Sequence, residues 1–156
     1  MSEEYPSLDI VFQEIKSKFL EQLSRSDKLT NRGNVLIGFC GFVFLFFFTV
    51  RLDLPDRLAP LSYIIFSLLL TSTISALSAI GLKIYEIPPA PRNLAENYLK
   101  VEKDKTKKQL VDNYIDAYEK NQSVLGKRAL GIRVSYYTLV LSIIILTTLI
   151  FFGRVV

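Results

Sequence analysis

Four hydroxyl residues, Ser67, Thr71, Ser75 and Ser78, recur at spacings of four, four and three inside a long uncharged stretch. On a helix that spacing sets them along one face. In lipid such a face gains by meeting protein or water, so it suits either close helix packing or the wall of a polar pore. The stretch contains no Asp, Glu, Lys or Arg, and ion and proton pathways generally use such groups, which favours packing. A second set, Lys103, Lys105, Lys107 and Lys108, offers concentrated positive charge. It reads as a solvated helix face or as a surface for an anionic ligand. Tyr98, Tyr114 and Tyr118 would stack on a base or serve equally well as core. Asp53 and Asp56, in a short connection, are a cation-attracting pair or simply turn and capping residues.

Catalytic chemistry is poorly provided for. There is no histidine and only one cysteine, Cys40, so the commonest general base is missing and thiolate zinc sites and internal disulfides are excluded. No glycine-rich phosphate loop, paired-carboxylate constellation or nucleophile elbow occurs. The chain therefore reads as a non-enzyme without cofactor or metal.

The elements that carry these residues are set by three uncharged stretches, each closed by basic residues. Residues 33–50 lie between Arg32 and Arg51, 58–82 between Arg57 and Lys83, and 134–153 between Arg133 and Arg154. Roughly 20 apolar helical residues cross a hydrocarbon core about 30 Å thick. All three are long enough if the flanking arginines of the shortest snorkel. A hydrophobic content of 50% fits a chain largely in lipid. The predicted fold is all-α, with three transmembrane helices, an N-terminal amphipathic helix and a cytoplasmic helical segment continuous with the third span. Four regions follow: 1–32, an amphipathic cytoplasmic helix; 33–83, a transmembrane hairpin; 84–132, the cytoplasmic segment; and 133–156, the third span and a short outer tail.

Basic residues set the orientation. Sixteen fall before the first span and between the second and third, and three fall elsewhere. The positive-inside rule then places the N-terminus in the cytoplasm and the C-terminus outside a cell (inner) membrane. The net charge of +4 sits beside the bilayer, where lipid headgroups are its simplest partner and nucleic acid is not expected. The first thirty residues are charged and amphipathic, unlike a signal peptide.

Pro6-Ser7 marks a helix start, with Ser7 as N-cap and Asp9 in the first turn. Leu8, Phe12, Ile15, Phe19 and Leu23 then form an apolar stripe, predicting a helix to about Lys28. Its apolar face either lies in the membrane interface or packs on the other cytoplasmic helix. Gly33, Gly38 and Gly41 mark the inner half of the first span as its helix contact. Asp56 is placed to cap the second span, and residues 87–91 form a proline elbow beyond it. A long stripe from Val111 through Ile115, Tyr118, Gln122, Leu125, Ala129 and Ile132 to Tyr136 meets no proline. It predicts one helix from about Thr106 into the third span, with Gly126 and Gly131 as its weak points.

Three segments carry a resemblance. Ser26-Asp-Lys-Leu-Thr-Asn-Arg-Gly-Asn34 leads into the first span, Lys83-Ile-Tyr-Glu-Ile-Pro-Pro89 leaves the second, and Asn121 with Lys127-Arg-Ala129 precedes the third. In this layout the chain resembles small three-span membrane effectors of prokaryotic antiphage systems, of the Pycsar and SLATT types. It departs from them at Asn31-Arg-Gly, where a lysine followed by alanine is expected. The resemblance implies an oligomeric protein held quiet until a nucleotide signal or sensor protein triggers membrane disruption or pore formation. The alternative is a structural or accessory subunit of a larger membrane complex, using the same hydroxyl face.

Overall fold

The computed structural model describes residues 7–51, 58–81 and 102–153. It is all-α, with helices α1 (Leu8–Arg51), α2 (Ala59–Ile80) and α3 (Lys103–Gly153) and no strand among the described residues. All three helices are long and apolar enough to cross a membrane. Asp53, the capping role of Asp56, the elbow at 87–91 and Tyr98 lie outside the described residues.

The helix ends follow local chemistry. Ser7 immediately precedes α1 and its carbonyl accepts from the Val11 N–H at 3.0 Å, while Asp9 lies in the first, positive turn. α2 has Leu58 at its N-cap, without a side-chain cap, and Pro60 in its first turn, where a missing N–H is harmless. It ends at Gly81, whose N–H donates to the Leu77 carbonyl at 2.8 Å. α1 does not stop at Lys28: it continues to Arg51, because residues 26–34 contain no proline and keep the helical spacing of inward residues. α3 begins three residues before Thr106 and passes Gly126 and Gly131 unbroken.

The chain forms two compact units, one from residues 1–27 and 82–126 and one from 28–81 and 127–156. In the first unit, α1 packs on α3. The Tyr114 ring meets Phe12 and Phe19 edge-on, at 6.0 and 5.3 Å between centroids. Gln22 donates to the Tyr118 carbonyl at 2.9 Å, and Lys107 binds the Asp9 carboxylate. The apolar face of this part of α1 therefore meets α3, where Tyr114 is half-buried against Phe12 and Phe19. The Lys107 ammonium holds the Asp9 carboxyl below its ordinary value, chiefly through this hydrogen bond. The same bond raises Lys107.

The second unit contains the apolar parts of all three helices. Its inward residues repeat at alternating steps of three and four. They are Ser62, Ile65, Leu69, Ser72, Ala76 and Ala79 on α2, and Arg128, Ile132, Ser135, Leu139, Ser142, Leu146 and Leu149 on α3. On α1, Gly33, Cys40, Val43 and Phe47 are buried in the same register. A mean step of 3.5 keeps a narrow seam turned toward neighbouring helices, as in coiled coils. Cys40, Val43, Phe47, Ile65, Leu69, Leu139, Leu146 and Leu149 form one apolar cluster, beside which Phe44 and Phe48 pack on Phe66. Only 22–28% of each most-apolar helical window is buried, so most apolar side chains face outward, as lipid solvation requires. Lipid removes most of the hydrophobic drive between helices, leaving packing and hydrogen bonds to hold them.

Candidate functional site

The polar groups of the second unit fall into an inward and an outward set. The inward set is built around Ser72, whose side chain is fully buried with Ser135 and Cys40. The Ser72 hydroxyl donates to the Ser135 carbonyl at 2.8 Å. Its oxygen lies 3.0 Å from the Ser135 hydroxyl and 3.3 Å from the Cys40 sulfur, so it accepts from both. One hydroxyl thereby joins all three helices. Ser142, also buried, returns its proton to the Leu139 carbonyl of its own helix at 2.7 Å.

Backbones approach closely at Gly131, and isoleucine side chains fill the space at Gly33. A Cβ on Gly131 would lie 3.0 Å from the Ala79 Cβ and 3.1 Å from the Ser75 carbonyl oxygen. A Cβ on Gly33 would meet Ile80 at 2.6 Å. Gly38 and Gly41 have open space where a Cβ would point, so of the three α1 glycines only Gly33 serves a contact among the described residues.

Arg128 is buried at the end of this seam. Its Nε donates to the Ala79 carbonyl at 2.6 Å and its fork to the Thr30 hydroxyl at 2.7 Å. Ala79 belongs to the last turn of α2, where carbonyls lack helical partners and the dipole favours a cation. The arginine thus serves as a C-terminal cap supplied by another helix.

The outward set contains Ser67, Thr71 and Ser78, which are exposed, while Ser75 is half-buried. Ser67 donates to the Tyr63 carbonyl at 2.9 Å, Thr71 to Ser67 at 2.8 Å and Ser78 to Ser75 at 2.9 Å. The stripe read from the sequence is therefore not the seam with the first and third spans of its own chain. Ser72, one position away, carries that role. Its signal was the spacing of three and four with Ile65, Leu69, Ala76 and Ala79, matched by Ser135 and Ser142 on the third span.

In the first unit the basic run is only partly open. Lys107 is half-buried against Asp9, Lys105 pairs with Glu102 at 3.4 Å, and Lys103, Lys105 and Lys108 are exposed. Among the described residues no group of three or more His, Cys, Asp or Glu is arranged to hold a metal ion. Comparison of the chain with protein families, curated proteins and solved structures finds no match.

Proposed function

We propose that this chain is an oligomeric helical membrane protein, a triggered membrane-disrupting effector or pore of a prokaryotic defence system. Its N-terminus and residues 84–132 would face the cytoplasm. The observation that carries the reading is the division of polar groups on α2. The inward face is closed by apolar side chains and the Ser72 network, which leaves no polar path among the described residues of one copy. The outward face carries Ser67, Thr71 and Ser78 in a row. A water path, if this protein makes one, forms between copies lined by that row.

The lysines exposed at 103, 105 and 108 are the surface offered to a nucleotide signal or sensor protein. The accessory-subunit reading draws on a different observation: each outward hydroxyl is satisfied by its own helix. Such a face packs against another protein's helix as readily as against a copy of itself.

The experiment is expression with and without candidate triggers, a nucleotide-producing enzyme or a sensor protein, while membrane potential is followed. Depolarisation only with trigger, lost on Thr71→Leu and on joint Lys103→Glu and Lys108→Glu, supports the effector. Unchanged potential under every trigger supports the accessory subunit.

A further inference from the structure

We propose that the second unit carries a binding site for an anionic phospholipid, seated in a groove between α1 and α3. The groove has a volume of about 600 Å³. Arg32, Arg133, Tyr136 and Tyr137 line it together with Val35 and Ile132. These positions recur at helical spacing on each helix, so the groove is a product of the regular packing of two rods.

Three observations specify the occupant. First, Arg32 and Arg133 each stand directly before an uncharged span, 33–50 and 134–153. In a bilayer that places both guanidiniums at headgroup level, where tyrosines also concentrate. Second, both arginines are exposed, and neither forms an ion pair or a hydrogen bond with a described residue. Two like charges beside one groove repel unless an anion lies between them, and the guanidinium fork matches a phosphate in geometry. Third, apolar side chains share the lining, with Val35 70% exposed. A free phosphate leaves such a surface bare, whereas a phospholipid covers it with the upper part of its acyl chains. The phenols of Tyr136 and Tyr137, with rings 5.7 Å apart, supply neutral donors for the glycerol and ester oxygens.

Basic pockets between membrane helices recognise anionic headgroups by this combination of charge and groove. The occupant is the same whether the chain acts as effector or as accessory subunit, so the two proposals fail separately.

The test is native mass spectrometry of the full chain in neutral detergent, titrated with dioleoyl phosphatidylglycerol or dioleoyl phosphatidylcholine. The phosphatidylglycerol adduct should form at a concentration roughly tenfold or more below that of phosphatidylcholine, given the strength of two interfacial arginines. Joint Arg32→Gln and Arg133→Gln should abolish the preference, and joint Arg32→Lys and Arg133→Lys should retain most of it. Glycerol 3-phosphate at millimolar concentration should not displace the lipid. Equal binding of the two lipids, or a preference that survives the glutamine pair, overturns the proposal. Displacement by glycerol 3-phosphate would assign the groove to a soluble anion, and a co-purifying polypeptide that lipid does not displace would assign it to a protein. Either result overturns the lipid assignment. Should the glutamine pair fail to fold, added sodium chloride tests the same point on the native chain: the preference must fall as salt rises.

Discussion

The Ser72 hydroxyl of α2 donates to the main-chain carbonyl of Ser135 on α3 at 2.8 Å, with both side chains fully buried. In a lipid-facing bundle this bond does work that burial of leucines does in water. Ser72→Ala should destabilise the second unit by about 0.6–1.7 kcal/mol, from the average to the upper end of membrane hydrogen-bond measurements. Ser72→Leu should cost about 1–3 kcal/mol, because bulk is added where the seam is closed. Cys40 reports both effects, since its thiol is buried beside Ser72. Its labelling by a maleimide during a detergent titration should begin earlier in each variant. Coincident curves would remove Ser72 from the account.

Two glycines on α3 should behave oppositely. A side chain at Gly131 meets α2 at 3.0–3.1 Å, whereas at Gly126 nothing lies within 4 Å. Gly131→Leu should separate α2 from α3 and lower the thermal midpoint. Gly126→Ala should hold or raise the midpoint, since it adds up to about 1 kcal/mol of helix propensity. A midpoint lowered equally by both changes would contradict the packing described.

These residues also show how much was legible. Hydropathy and flanking charge located three spans, because length and polarity alone decide whether a segment can cross lipid. The absence of proline after Pro91 foretold the unbroken α3. The inward face of α2 was harder, since serines lie on two adjacent registers and a propensity for close packing does not say which one turns inward. Gly131, Ala79 and Ser135 decide it together, and their pairing exists only once three helices meet. The same reason hid Arg128, whose acceptor is the end of another helix. Gly38 and Gly41 show the converse, being small residues with open space beside them among the described residues.

The Asp9–Lys107 contact makes a signed prediction for pH. Asp9 is lowered and Lys107 raised, each mainly by the hydrogen bond between them. The carboxylate's contribution is present above the ordinary Asp range and disappears as pH falls through its lowered value. The ammonium's contribution is present below the ordinary Lys range and disappears as pH rises through its raised value. Between pH 5 and 9, about a unit or more inside both ordinary values, stability should therefore stay flat with respect to this pair. Asp9 is exposed and Lys107 only half-buried, so Asp9→Asn should have a small effect that salt diminishes. A midpoint that moves strongly with pH inside that window in the native chain, but not in Asp9→Asn, would contradict this assignment.

Orientation is tested by single cysteines in a Cys40→Ala background. Ser123→Cys should react with an impermeant maleimide only after cells are opened, while Asp56→Cys should react on intact cells. Reaction of both on intact cells would refute the cytoplasmic placement of residues 84–132.

The central claim is that copies meet through the outward hydroxyl face of α2. Its most direct measurement is oxidative cross-linking in native membranes, with one cysteine at a time in the Cys40→Ala background. Thr71→Cys and Ser67→Cys, both exposed on that face, should give disulfide-linked dimers, while Leu141→Cys, exposed on α3, should remain monomeric. Equal cross-linking at Thr71 and Leu141, or none at Thr71 and Ser67, would contradict it.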